Sequence, residues 1–270
     1  MASWGVVPFG GSLLGDPTMH PCFCRLGLAL LLLAPALPGR AADAPRKYLT
    51  ATSHYFHAET VALSRLPEPP KPGSLAAEVD LETILQLQAW RTEAEVAWAL
   101  RMDQLDVFAA SEVIGAWFTR ERLPKCARLL EEALGDGESL NHIAKLKFKR
   151  LRPPFQDPRV HPCMPVQPAN GPTPSAGFYS FPSGHATSIY LAAELLAELV
   201  PSKREPVQAW AHKAAWSRML AGVHFPSDDL GGRILAEIGV QALMANPAFV
   251  KALEACKEEV RTVQPAVPSL

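Results

Sequence analysis

The chain has 270 residues, 48% of them hydrophobic and 20% charged, with a formal net charge of -1. That balance excludes a disordered polar chain, and the near-zero charge excludes the global basic field of a nucleic-acid binder. The length allows one large domain or two small ones.

The N-terminus reads as an export signal. Arg25 precedes the apolar run Leu26 to Ala34, which is short for a bilayer span, and Ala42-Asp43-Ala44 has the form of a cleavage site. Residues 1–44 are therefore expected to be a signal peptide, with Met19 an alternative start and an uncleaved anchor the competing reading. The mature chain is then expected to begin near Pro45 and to be soluble, because Glu194 and Glu198 interrupt the longest later apolar stretch, Ile189 to Val200.

Residues 45–73 read as an extended N-terminal arm. The breaker cluster Leu66-Pro67-Glu68-Pro69-Pro70-Lys71-Pro72-Gly73 excludes a helix there. Ser74 is a candidate N-cap, and Leu75, Val79, Leu81, Ile84, Leu85 and Leu87 follow at roughly helical spacing. Helical patterns continue over about 92–118, 122–134, 138–150, 183–200, 204–222, 227–245 and 247–261. Strand signals are scarce. The expected fold is an all-α, single-domain helical bundle over residues 74–262, with 263–270 as a tail. Pro153 to Phe181 is the one long irregular connection, and loops of that length are usually functional.

Of the five cysteines, Cys22 and Cys24 fall in the signal, and Cys126, Cys163 and Cys256 remain. An exported chain can oxidise one pair, and the sequence does not choose which. No C-x-x-C and no zinc-type His/Cys spacing occurs, so no structural metal is expected.

Three motifs carry chemistry. Lys145 and Arg152 lie seven residues apart, close to two helical turns, which would put both on one helix face. Pro153 would end that helix and leave Arg152 at its exposed edge, suited to bidentate phosphate binding. The plainer reading of Lys145, Lys147, Lys149, Arg150 and Arg152 is a solvated basic face. Ser183-Gly184-His185 opens the next helix after Pro182. Backbone N–H groups there face an anion, Ser183 adds a hydroxyl, and His185 can protonate a leaving oxygen. The plainer reading is an N-cap serine and a surface histidine. Arg218 then lies on a helix, His224 in a turn marked by Gly222 and Pro226, and Asp228 opens the following helix. A carboxylate holding one ring nitrogen leaves the other free to attack. The plainer reading makes Asp228 or Ser227 a cap, and Asp229 fits a first-turn acid without a chemical role.

Together the three motifs resemble the signature of the type-2 phosphatidate phosphatase and vanadium haloperoxidase superfamily: Lys-x6-Arg-Pro, Pro-Ser-Gly-His and Ser-Arg-x5-His-x3-Asp. Lys145, Arg152, Pro153, Pro182, Ser183, Gly184, His185, Ser217, Arg218, His224 and Asp228 match it. Within the superfamily the chain looks most like the bacterial class A non-specific acid phosphatases over residues 48 to 262. The proline segment, Cys163 and Asn246-Pro247-Ala248-Phe249 add to that likeness. Phe181 stands where that subfamily more often has Tyr, which leaves substrate range open.

The resemblance implies a periplasmic or secreted enzyme that hydrolyses small phosphate monoesters without a metal or other cofactor. His224 would attack phosphorus, Asp228 would orient its ring, and His185 would protonate the departing oxygen and then activate water. Lys145, Arg152, Arg218, Ser183 and Gly184 would hold the phosphate oxygens. With ordinary histidine values near about 6.5, an acid optimum is expected. Inorganic phosphate or vanadate would inhibit. Nucleic acid is not an expected partner, and a homo-oligomer stays open. The alternatives are a vanadate-dependent haloperoxidase, a narrower lipid-phosphate or nucleotide phosphatase, and a non-catalytic phosphate binder.

Overall fold

A computed structural model describes residues 53–104, 106–169 and 174–265. The signal-peptide reading, with Met19, Cys22, Cys24 and Ala42-Asp43-Ala44, lies outside them. Among the described residues there are nine α-helices and no strand: α1 Leu75–Trp90, α2 Glu93–Met102, α3 Ser111–Ile114, α4 Pro124–Phe148, α5 Pro153–Gln156, α6 Gly184–Leu199, α7 Arg204–Leu220, α8 Pro226–Met244 and α9 Pro247–Val263. The fold is all-α, and no described helix is long and apolar enough to cross a membrane.

Local chemistry starts the helices. The Ser74 side chain accepts the Ala77 amide, and Thr92 with Glu95 forms a reciprocal capping box at α2. Proline occupies the first turn of α4, α8 and α9, where its missing N–H costs nothing. Asn246 caps α9 through the Ala248 amide at 2.8 Å.

The helix α6 is the centre of the molecule. Nearly every residue from Ala186 to Leu199 is buried, so it is apolar around most of its circumference. It packs against α8, α7, α4 and α9. Small residues permit the close approach. A Cβ on Gly232 of α8 would lie 2.7 Å from Ala186 Cβ and 2.8 Å from the Ser183 carbonyl oxygen. One on Gly137 of α4 would lie 2.8 Å from Leu191 Cδ1.

Three sequence expectations change. The patterns at 122–134 and 138–150 form one helix, α4, because Gly135-Asp136-Gly137 does not interrupt it. Asp136 is buried there and accepts the backbone amides of His54, Tyr55 and Phe56 at 2.9, 2.7 and 3.3 Å. Its carboxylate thus fastens the N-terminal segment to the bundle. The 92–118 pattern is broken instead, since α2 ends at Met102 and a 3-10 turn, Val107–Ala110, precedes α3. The long connection also contains α5, a 3-10 turn at Ala176–Phe178 and an isolated antiparallel bridge between Leu151 and Tyr179.

Cys126 and Cys256 form a disulfide joining α4 to α9 across 130 residues, and Cys163 is a free thiol.

Candidate active site

The phosphate-binding pair is assembled differently from the sequence expectation. The helix α4 stops at Phe148, and Lys149 adopts a left-handed conformation, φ 51°. Arg152 is therefore not two turns along the same helix face. It is the extended residue before α5, partly buried, and its charge acts on Lys145 from beyond the end of α4. Lys145 stays on α4 and is buried, with Nζ donating to the carbonyls of Tyr179 at 2.6 Å and Ser180 at 3.1 Å. Lys147 and Lys149 are exposed, so the solvated-face reading holds for them.

Ser183 caps α6, its Oγ accepting the Ala186 amide at 3.3 Å. Gly184 and His185 are the first two residues of that helix, both half-buried. A Cβ on Gly184 would come within 3.1 Å of Asn141 Oδ1 and 3.8 Å of Lys145 Cε, so glycine allows this turn to lie against α4. Asn141 secures it from below, donating to the Pro182 carbonyl at 3.2 Å and Thr187 Oγ1 at 3.0 Å. The Ser183 amide donates to the Asp228 carbonyl at 2.9 Å, which ties this motif to the start of α8.

His224 sits in the turn between α7 and α8, where Gly222 takes φ 73° and Pro226 begins the next helix. The imidazole is buried. Its Nε2 lies 3.0 Å from Arg152 Nη1 and its Nδ1 lies 3.4 Å from Asp228 Oδ2. A guanidinium has only donors, so Nε2 must present its lone pair and Nδ1 must carry the proton toward the carboxylate. Burial holds the ring well below the usual histidine range, and the charges of Arg152, Lys145 and Arg218 press the same way. Burial and Arg152 likewise hold Lys145 well below the lysine range, with Asp228 pulling it back up.

Arg152 also donates to the carbonyls of Gly177 and Val223. Arg218, at the end of α7, is buried and pairs with Asp103 at 2.9 Å. The structure thus gathers Lys145, Arg152, Arg218 and Asp228 around the imidazole of His224, with the start of α6 bonded to the start of α8. A buried neutral imidazole facing three cations can bind an anion and attack it.

Four residues of this neighbourhood escaped sequence reading: Asp80, Asp103, Asn141 and Arg150. Arg150 is buried, and its Nη1 donates to Asp228 Oδ1 while its Nη2 donates to Asp80 Oδ2, both at 2.7 Å. Its only sequence signal was membership of a basic run. Asp80 had a stronger one, an acid one turn before Ile84 on the inner face of α1. Phe181, by contrast, is core. It is 1% exposed, meets the Phe148 ring edge-on at 5.1 Å and lies against Gly231, so its identity bears on packing.

Residues 130–249 match the family model of the PAP2 superfamily. All eleven residues of the three motifs fall within that span. Over 207 residues the chain is 28% identical to a non-specific acid phosphatase of Providencia stuartii, covering 73% of this chain and 80% of that one. It is 26% identical over 243 residues to an acid phosphatase of Zymomonas mobilis, covering 88% and 89%. A shorter match, 39% over 102 residues, is to a decaprenylphosphoryl-5-phosphoribose phosphatase of Mycolicibacterium smegmatis, covering 37% and 51%.

Proposed function

We infer that the chain is a phosphoric monoester hydrolase of the acid-phosphatase kind, a reading supported by the match of residues 130–249 to the PAP2 superfamily model and by the similarity to acid phosphatases over most of the chain. We further propose that it works without a metal, through a phosphohistidine on His224. The observation that carries this reading is the opposed pair of contacts on one ring, Arg152 at Nε2 and Asp228 at Nδ1.

In the first step, Nε2 of His224 attacks phosphorus and the bond to the leaving oxygen breaks. His185 delivers a proton to that oxygen. Asp228 accepts the Nδ1 hydrogen bond and stabilises the ring as it gains positive character. Lys145, Arg152, Arg218, Ser183 and the Gly184 amide hold the equatorial oxygens, where charge spreads in the transition state. In the second step His185 removes a proton from water, which displaces Nε2. Burial holds His224 well below the usual histidine range, so mildly acidic solution leaves the nucleophile unprotonated, which suits an acid optimum. The same reading takes the chain as exported, with small phosphomonoesters as substrates and vanadate as an inhibitor.

The test is a quench experiment with a labelled phosphomonoester. Acid-labile, base-stable label is expected on the wild-type chain and none on His224→Ala, with turnover unchanged by EDTA. Label retained in His224→Ala sinks the nucleophile assignment. Loss of turnover in EDTA sinks the metal-free one.

A further inference from the structure

Beyond the motif residues, a buried ionic chain runs from α1 into the turn that bears His224. Asp80 Oδ2 accepts Arg150 Nη2, and Arg150 Nη1 donates to Asp228 Oδ1, each at 2.7 Å. Asp228 Oδ2 accepts the Phe225 amide at 2.9 Å and faces His224 Nδ1 at 3.4 Å. Both oxygens of the catalytic carboxylate are therefore engaged, and it cannot rotate without breaking contacts on two sides.

Arg150 is itself clamped. Its guanidinium lies 4.1 Å from the centroid of Phe225, and its Nη1 also donates to Ser227 Oγ at 2.6 Å. Asp80 closes the clamp from α1, accepting the Ser227 amide at 3.1 Å and the Ser227 hydroxyl. Ile84, one turn further along α1, packs in the same core cluster as Phe225. One helix thus touches the turn with a carboxylate and with an apolar side chain.

We propose that Asp80 is a positioning residue for catalysis, which through Arg150 holds Asp228 in register and so aims Nε2 of His224. This rests on the reading of His224 as nucleophile. Asp80 also divides the charge of Arg150. In the wild type one guanidinium serves two carboxylates. In Asp80→Asn the whole cation would bear on Asp228 and weaken its pull on the Nδ1 proton. The other charged groups facing the His224–Asp228 pair are Lys145 from α4, Arg152 before α5, Arg218 from α7 and Asp229 beside Asp228. Substitution of Asp80 leaves all of them in place. The ring gains charge as the phosphorus bond forms, so the effect belongs to the transition state more than to substrate binding.

The experiment is Asp80→Asn in the full chain, a change that keeps shape and one acceptor oxygen. Its kcat on a phosphomonoester is expected to fall roughly 10-fold, as for loss of an outer partner of a reacting group, with KM within about twofold. The 15N resonances of His224 are expected to move, a readout that needs no turnover. Leu253→Ala, in the core on α9, serves as the control for lost stability and should keep kcat and the resonances. Unchanged kcat and resonances in Asp80→Asn overturn the proposal. So does a raised KM at constant kcat, or the same kcat loss and resonance change in Leu253→Ala. If the wild-type chain hydrolyses no phosphomonoester, the functional reading fails, and the resonances still decide the positioning role.

Discussion

At the scale of single residues, burial sets the behaviour of the ionisable groups. His224 and Asp229 are close in sequence and shifted in opposite directions. Burial disfavours each charged form, so the base is pushed down and the acid is pushed up to about 6. Asp228 adds to the rise at Asp229, while the Tyr190 hydroxyl, His212 and Arg233 work against it. The folded value of Asp229 is raised above the unfolded one, so its contribution to stability is fully present below about 3.8. That contribution is lost as pH rises through about 6. Asp229→Asn should therefore be more stable than wild type at pH 7.5, by about 1–3 kcal/mol, and no more stable at pH 4. Thermal melts of both proteins across that range check this, and a gap that does not vary with pH rules it out. Sequence reading placed Asp229 as a first-turn acid, which is correct for its position in α8. Its burial against Tyr190 of α6 was invisible, because that contact is set by how two helices cross.

At the scale of elements, glycine placement separates contact from exposure. Gly232 of α8 faces the backbone that opens α6, where a methyl group would lie 2.8 Å from the Ser183 carbonyl and 3.0 Å from the Thr187 amide nitrogen. Backbone cannot step aside as a flexible side chain can. Gly232→Ala should cost about 1–3 kcal/mol and lower kcat, because the displaced turn carries Ser183, Gly184 and His185. Gly135, in the middle of α4, has nothing within 4 Å of its would-be Cβ. Gly135→Ala should stabilise by about 0.5–1 kcal/mol with activity retained. Denaturant unfolding and steady-state kinetics on the two variants check the pair, and equal effects would refute the assignment. These glycines also show how far local pattern goes. Gly135-Asp136-Gly137 looked like a break between helices, yet α4 runs through it. Tertiary contacts at Asp136 and Gly137 outweigh the low helix propensity. The end of α4 was equally misleading. Two helical turns seemed to align Lys145 with Arg152, but the left-handed Lys149 ends the helix first, and Arg152 approaches Lys145 from the extended residue before α5 instead.

At the scale of the whole molecule, two long-range ties hold the first described residues and the last helix to α4. Asp136 binds the backbone of residues 54–56, and the Cys126–Cys256 disulfide joins α4 to the last helix. A cross-link closing 130 residues restricts the unfolded chain strongly. Its reduction should destabilise the fold by about 2–5 kcal/mol, a fall in Tm on the order of 10 °C. Because α9 carries none of the site residues, kcat at 25 °C is expected to hold. Calorimetry with and without reductant checks this, and equal melting temperatures would refute it. The sequence alone determined the helical class, the starts of α1, α6, α8 and α9, and the first and third motifs, whose cations and carboxylate surround His224. Those are matters of residue type and short spacing, which caps, prolines and helical periodicity express locally. Only the tertiary structure decided which cysteines pair, how Arg152 reaches His224, and that Arg150 and Asp80 stand behind Asp228. Asp80 lies 147 residues before the Ser227 that it binds, and no local pattern ties residues so far apart. Their pairing follows from where the helices α1 and α8 pack, and the buried charges must then find each other there.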